Sequence, residues 1–299
     1  MNVQNIINEI EKVDPEVYDR LDTRRSAMRR FSFIGKTLAL AAIPSAFGSM
    51  LKKAYGQTSS TPADIIDVLN FAYLLENLES EFYKKVVNSF TAIGVPAGPA
   101  QGALTTIRDH EVAHVNFLKT VLMSLNQTPA TYSAASFDFS GGNGSMTGPF
   151  ASAFSNYSVM LAVAQTFEDT GVRAYKGQAP RLMSNNDVLT AALQIHSVEA
   201  RHASHIRQMR RNLGATNLVP AGVTLQPWIT LAQSGIDTGN AGANAAIQMS
   251  YAGEEVTTQA GVNIVNIGGQ TISANEASES FDEPLTKAQV TAIVDPFVI

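Results

Sequence analysis

The chain has 299 residues, 45% of them hydrophobic, which is enough apolar material for a large core and excludes disorder throughout. The net charge is −5, so no surplus of basic side chains can neutralise a phosphate backbone, and we expect no nucleic-acid partner. Cysteine is absent, which excludes disulfides, thiol nucleophiles, iron–sulfur clusters and cysteine-bound iron or zinc. Any metal must therefore be held by histidine and carboxylate side chains.

Residues 1–57 have the order of segments that is typical of an export leader. A charged stretch is followed by an apolar segment, residues 37–51, which contains a proline and is too short to span a membrane. Arginine pairs at 24–25 and 29–30 precede it, and small residues offer a cleavage site before Gln57. We expect a twin-arginine-like signal and an exported, periplasmic or cell-envelope protein. The alternative is an amphipathic helix that packs on a partner or on the chain's own bundle, in a cytoplasmic protein.

Residues 60–214 are predicted to form four long helices. Apolar residues recur at helical spacing in four segments, namely 62–90, 98–126, 149–178 and 185–213. The first and third connections are short, whereas the second is long and rich in glycine and serine. Short connections join antiparallel neighbours, and a long one can cross the length of a bundle. The predicted fold class is therefore all-α, a four-helix bundle of two antiparallel hairpins joined by a long crossover.

Residues 215–299 differ in composition and are predicted to be an accessory C-terminal extension of mixed structure. Alternating residues around the Gly-Gly pair at 268–269 predict a small β-hairpin. Thr286 and Gln289 have the spacing of a capping box, which opens a short last helix. Trp228 is expected to be a packing anchor.

Each long helix carries a glutamate among aliphatic residues on its apolar face. Leaving an ionised carboxylate unpaired in such a place costs several kcal/mol, and four that converge also repel one another. Two divalent metal ions supply four positive charges, which match four carboxylates and two neutral histidines. The charges therefore favour a dinuclear site. The four glutamates are Glu76, Glu111, Glu168 and Glu199.

The spacing of the histidines agrees with such a site. Two Glu-x-x-His motifs, at 111–114 and 199–202, each place both donors on one side of a helix. A tyrosine follows each remaining glutamate after seven residues, so the chain contains the same hairpin twice. This repeat predicts that Glu111 and Glu199 bridge two metals. The predicted ligands are Glu76, Glu111, His114, Glu168, Glu199 and His202, and the accompanying tyrosines are Tyr83 and Tyr175, which either hydrogen-bond the carboxylates, have a redox role or fill the core.

Two single glutamates and two Glu-x-x-His motifs resemble the ligand pattern of the ferritin-like superfamily. The segments LLENLESEFY, FEDTGVRAY and SFDEPLTKAQVTAIVDPF further resemble a group of exported ferritin-like proteins that includes plant desiccation-related proteins. The resemblance implies a bundle with two iron or manganese ions at the six positions named above. It does not imply an assigned reaction.

We expect redox chemistry on dioxygen, peroxide or ferrous iron, as in a ferroxidase, peroxidase or catalase. Because cysteine-bound iron is excluded, electrons must come from an external donor or from the peroxide itself. The alternative is a stress-protective or interaction protein with a structural or vestigial metal site and no turnover. Iron storage in a cage is a third interpretation, and the sequence is compatible with a homo-oligomer.

Other interpretations of single residues stay open at this point. His110 and His114 form the zinc-protease string His-Glu-x-x-His, but no third ligand of that class follows. Glu79 competes with Glu76 for the ligand position, although only Glu76 has the repeated tyrosine spacing. The alternative to a metal site is a metal-free bundle whose carboxylates are protonated or solvated.

Several polar residues adjoin the predicted ligands. His110, His196 and His205 are expected beside the ligands or at the surface, and one of them could add a ligand. Asp109 and Asp169 are expected either to face solvent or to orient an imidazole.

Overall fold

Four long helices form the body of the molecule and pair into two hairpins. The computed structural model describes residues 63–216 and 218–299, so the predicted leader over 1–57 lies outside the described residues. Helix α1 packs mainly on α2 and α3 mainly on α4, which confirms the predicted four-helix class. Within the described ranges, no helix is long and apolar enough to cross a membrane. The helices are α1 (Ala63–Asn88), α2 (Pro99–Ser124), α3 (Tyr157–Gln178) and α4 (Asn186–Arg211).

The third helix begins later than the sequence predicts. The prediction started it at residue 149, but the structure forms a 3₁₀ turn at Ala151–Phe154 and starts α3 at Tyr157. The reason is Asn156, whose side chain accepts hydrogen bonds from the backbone N–H groups of Ser158 and Val159 and so caps the helix. Helix α4 is capped by an asparagine at 185 in the same way.

Asp138 organises the crossover that joins the two hairpins, residues 125–156. Its carboxylate accepts hydrogen bonds from the backbone N–H and hydroxyl of Ser140 and from the N–H groups of Gly144 and Met146, at 2.6–3.0 Å. The backbone N–H of Asp138 donates to the carbonyl of Phe297, which ties the crossover to the C-terminal residues. Burial opposes ionisation, but the hydrogen bonds outweigh it and lower the pKa of Asp138.

The extension contains a hairpin, but not where the sequence predicts it. Strands β1 (Thr258–Gln259) and β2 (Val262–Asn263) pair antiparallel around Ala260 and Gly261, which both have the positive φ of a tight two-residue turn. The predicted hairpin at 268–269 is wrong. Asn266 there exchanges hydrogen bonds with Ile272 through its own N–H and side chain and closes a loop around a 3₁₀ turn.

The rest of the extension is helical or irregular. The predicted capping box of Thr286 is present and opens the last helix. Trp228 has a side chain that is 49% exposed, so the prediction of a packing anchor is wrong. The helices of the extension are α5 (Ala241–Met249), α6 (Ala274–Ser278) and α7 (Lys287–Val294).

Buried arginines on α3 and α4 hold the extension against the bundle. Arg173 pairs with Glu254 at 2.6 Å and donates to the backbone carbonyls of residues 250, 252 and 283. Arg210 donates to Gly235 of the extension and to Gln165 of α3. Because a buried guanidinium is costly unless its donors are satisfied, these contacts fix the extension on the same two helices that carry Glu168 and Glu199.

Asp138→Asn should lower the free energy of unfolding by about 2 kcal/mol or more at pH 7, because an amide cannot accept from four donors as a carboxylate does. The pKa of Asp138 is lower in the folded chain than in the unfolded chain, where it is about 3.9. The carboxylate therefore stabilises the fold fully above the unfolded pKa, and this stabilisation is lost as the pH falls through the folded pKa. Urea unfolding of both proteins at pH 7 and pH 3.5 tests this. A difference that does not shrink at the lower pH would contradict it.

Replacing each of two helical glycines by alanine should change the stability of the fold in opposite directions. A Cβ on Gly177 of α3 would lie 1.9 Å from the carbonyl oxygen of Leu285, so Gly177→Ala should destabilise the fold by about 1–3 kcal/mol. A Cβ on Gly102 of α2 meets nothing within 4 Å, so Gly102→Ala should stabilise it by up to about 1 kcal/mol. Thermal unfolding of the two variants measures this, and equal shifts would disprove the close approach of the extension to α3.

Candidate metal centre

The structure brings the six side chains of the predicted ligand set together in the middle of the bundle. One glutamate comes from each long helix, and all four are fully buried. His114 lies one turn beyond Glu111 on α2, and His202 lies one turn beyond Glu199 on α4, because a three-residue step returns to the same helix face. Both histidine residues are less than 10% exposed.

The donor atoms fall into two overlapping groups. Within each group, one atom from every residue lies within 4.8 Å of the others, a spacing that one metal ion can span. Glu111 and Glu199 belong to both groups, which is the arrangement expected of bridging carboxylates. The first group is Glu76, Glu111, His114 and Glu199, and the second is Glu111, Glu168, Glu199 and His202.

Each imidazole turns its Nδ1 atom towards three carboxylates. The Nδ1 of His114 lies 3.0 Å from Glu76, 3.2 Å from Glu111 and 3.1 Å from Glu199. The Nδ1 of His202 lies 2.9 Å from Glu111, 3.2 Å from Glu168 and 3.5 Å from Glu199. The two halves of the site therefore have matching geometry.

The two tyrosines connect the hairpins. The hydroxyl of Tyr83 on α1 donates to Glu168 on α3, at 2.5 Å. The hydroxyl of Tyr175 on α3 donates to Glu76 on α1. Of the three roles that the sequence left open, hydrogen bonding to the carboxylates is therefore observed. The partner of each tyrosine is on the other hairpin.

The donor set fits transition-metal ions. One oxygen of Glu111, one of Glu168, both of Glu199 and the Nδ1 of His202 are buried and have no hydrogen-bond partner within the described part of the chain. Unpaired buried polar atoms are costly, and five that converge on one place need cations. Carboxylate oxygens with imidazole nitrogens are a donor set that suits iron and manganese.

The pKa values of the site residues in the absence of cations also indicate that the site needs positive charge. Burial raises the pKa of Glu76 to about 8 and raises that of Glu168 well above its usual value. Burial also opposes the charge of Glu199, but its close contacts with the two imidazoles outweigh burial and lower its pKa. Burial likewise disfavours a charged His202, yet the surrounding carboxylates raise its pKa to about 12. The imidazoles thus stabilise the shared carboxylates as anions, whereas the outer ones favour protons.

Glu79 is a fifth buried carboxylate next to this set. Its side chain is 5% exposed, and burial together with the neighbouring glutamates raises its pKa well above the usual value. It belongs to neither donor group. The sequence carries one indication that Glu79 is buried here. Gly171 occupies the matching position on α3, and its lack of a side chain leaves space for the Glu79 carboxylate.

His110 contacts a predicted ligand directly. Its ring stacks on that of His202 with centroids 5.2 Å apart, and its Nδ1 lies 2.9 Å from the Nε2 of His202. In the zinc-protease interpretation His110 and His114 would bind one ion together. The structure instead leaves His110 outside the donor group that contains His114.

The other polar neighbours lie away from the imidazoles. Asp169 pairs with Arg207 and accepts a hydrogen bond from Tyr251 at 2.6 Å, so the expectation that it orients an imidazole is wrong. The side chain of Asp109 is 63% exposed. His196 bonds a backbone carbonyl of α3, and His205 is exposed.

Residues 64–212 match the family model of a ferritin-like domain. The chain therefore contains a ferritin-like domain, and that domain is the bundle that carries the two donor groups. No curated protein and no solved structure matches the chain.

Tyr83→Phe should lower the free energy of unfolding by about 1–3 kcal/mol, since it leaves an oxygen of Glu168 buried without its donor. It should also weaken metal binding by about 10- to 100-fold, as loss of an outer hydrogen bond to a ligand does. Tyr157→Phe is the matched control, because the hydroxyl of Tyr157 forms no hydrogen bond with the described residues, and it should change stability by less than about 0.5 kcal/mol. Urea unfolding and Mn²⁺ titration measure both effects, and equal losses in the two variants would contradict the assignment.

Proposed function

We propose that this protein is a carboxylate-bridged dinuclear metalloprotein that carries out redox chemistry on dioxygen, peroxide or ferrous iron. The observation that supports it most directly is the pair of overlapping donor groups, which share Glu111 and Glu199 and contain buried oxygens without partners. The two ions would be iron or manganese, since both accept oxygen and imidazole donors.

The charges support two ions rather than one. A single divalent ion would leave two of the four ligand carboxylates uncompensated in a dry interior, whereas two divalent ions balance all four. The shared carboxylates would hold the ions as neighbours. Bound in this way, iron or manganese ions would donate or accept the electrons that dioxygen and peroxide chemistry requires.

The residues around the ions would keep the site rigid and dry. The tyrosine hydroxyls fix one oxygen of each outer carboxylate, and the other oxygen faces the histidine Nδ1 of its half, where an ion would bind. Full burial of the four glutamates excludes bulk water, which strengthens every charge interaction in the site. A small oxidant or a ferrous ion matches this closed interior better than a large organic substrate does.

The electrons would have to come from outside the site. The chain has no cysteine, so it carries no thiolate-bound iron centre that could feed the two ions. An external donor would serve in an oxidase or peroxidase, whereas the peroxide itself would serve in a catalase cycle. In a ferroxidase, the ferrous ion is both substrate and donor.

We further propose that the protein works outside the cytoplasm. The arginine pairs, the short apolar segment and the small residues before Gln57 support an export signal. Fractionation of the native host, followed by determination of the mature N-terminus, tests this.

The test of function is a comparison of Glu111→Gln with Glu81→Gln. Glu111 belongs to both donor groups, whereas Glu81 lies on α1 and pairs with Lys84 away from the centre. The wild type and Glu81→Gln should bind two Fe²⁺ or Mn²⁺ ions per chain and consume dioxygen or peroxide. Glu111→Gln should bind them at least about 10-fold more weakly and lose turnover.

Elemental analysis, an oxygen electrode and peroxide absorbance provide the measurements. Fewer than one ion per chain in the loaded wild type would contradict the dinuclear proposal. Equal rates in wild type and Glu111→Gln would rule out catalysis at this site. Two bound ions that raise the melting temperature without any turnover would favour the stress-protective or interaction protein with a structural metal site.

A further inference from the structure

The repeated hairpins give the two halves of the centre the same donors. A step of 92 residues along the chain relates α1 to α3, and a step of 88 residues relates α2 to α4. At the donor positions these steps connect identical residues. The matching pairs are Glu76 with Glu168, Tyr83 with Tyr175, Glu111 with Glu199 and His114 with His202.

The first departure from this symmetry is at His110. The matching position on α4 is Val198, which has no side-chain hydrogen-bonding group. His110 contacts His202 through a ring nitrogen pair at 2.9 Å and through a stacked ring. His202 therefore has an imidazole partner, whereas the matching position of the repeat on α4 is a valine.

The second departure is at Glu79. The matching position on α3 is Gly171. A Cβ placed on that glycine would lie 3.3 Å from an oxygen of Glu79 and 3.7 Å from the Cγ of Glu199. The Glu79 carboxylate thus reaches from α1 across to α3, the helix that carries Glu168, and lies beside a shared ligand.

We propose that the two metal positions are unequal, and that the position formed by Glu168 and His202 binds its divalent cation first and more tightly. This inference rests on the dinuclear function proposed above. His110 contacts a ligand of this half only, and Glu79 lies against α3, the helix that carries Glu168. Neither residue has a counterpart at the matching position of the repeat.

The hydrogen bond that His202 donates to His110 holds the His202 ring in the orientation that a metal needs. The Nδ1 of His202 faces three carboxylates, so it must present a lone pair there in order to bind a cation. The proton then sits on Nε2 and is donated to the Nδ1 of His110. This orientation is ready before the ion arrives, so the ion does not have to impose it on a free ring.

Glu79 is the second residue without a counterpart. Its carboxyl group is almost fully buried and lies against α3, the helix that carries Glu168, in the space that Gly171 leaves open. Because it belongs to neither donor group, it is a positioning residue on this side of the centre and not a ligand.

Titration of the metal-free full-length protein with Mn²⁺ tests this inference, with calorimetry and the electron paramagnetic resonance signal of Mn²⁺ as readouts. The wild type should bind two ions in steps whose dissociation constants differ by about 10-fold or more. Glu76→Gln should keep the tight step, whereas the matching change Glu168→Gln should remove it. Two equal steps in the wild type, or loss of the tight step in Glu76→Gln alone, would overturn the inference.

His110→Val places in one half the residue that the other half has, and it should weaken the tight step by about 10- to 100-fold so that the two steps become similar. His110→Asn is the conservative control, because its side-chain oxygen can accept the same hydrogen bond, and it should keep most of the tight step. An unchanged ratio of the two steps in His110→Val would overturn the inference.

Circular dichroism and thermal melting of the metal-free variants establish that they fold. If His110→Val does not fold, the matched pair Glu76→Gln and Glu168→Gln still decides which position binds more tightly. The failure of this inference is distinct from the failure of the proposed function. No Mn²⁺ binding by the wild type would overturn the dinuclear proposal and this inference together. Two equal sites would overturn this inference and leave the dinuclear proposal standing.

Discussion

Burial of four glutamates at the meeting point of four helices is the constraint on which the rest of this structure depends. Helix packing removes water from carboxylates that would each prefer to stay solvated. The two histidines stabilise the shared pair, but the outer carboxylates retain raised pKa values and several oxygens have no partner within the described residues. This arrangement lowers the free energy of unfolding of the metal-free protein, and cation binding at the site can raise it again.

The surroundings of the site hold it in place from several directions. The tyrosines link the two hairpins at the carboxylates themselves, so the bundle cannot loosen without breaking contacts to the donors. Buried arginines fasten the C-terminal extension to α3 and α4, and Asp138 ties the crossover to the end of the chain. These contacts make the extension part of the framework that keeps one side of the centre rigid.

The repeat also clarifies how a symmetric centre becomes asymmetric. Identical donors occupy matching positions, so the differences must lie in residues that surround them. An imidazole faces His202 where the other half has a valine, and a carboxylate fills space that a glycine leaves open. Under the inference proposed above, differences of this kind would change the affinity of one metal position without changing its ligands.

The sequence by itself determined the four helices, their pairing and the six side chains that come together in the bundle, because these depend on local helix geometry and on a repeat that is visible as spacing. It did not determine which glutamate each tyrosine contacts, the burial of Glu79 or the contact of His110 with His202, since those residues meet across helices that are far apart in the chain. Likewise, Asp169 pairs with Arg207 instead of an imidazole and accepts a hydrogen bond from Tyr251 of the extension, a residue 82 positions away in the chain. The late start of α3 was decided by the hydrogen bonds of the Asn156 side chain, which cap the helix. The position of the hairpin was decided by the positive φ of Ala260 and Gly261, which form its turn. Both local effects outweigh the periodicity of the sequence.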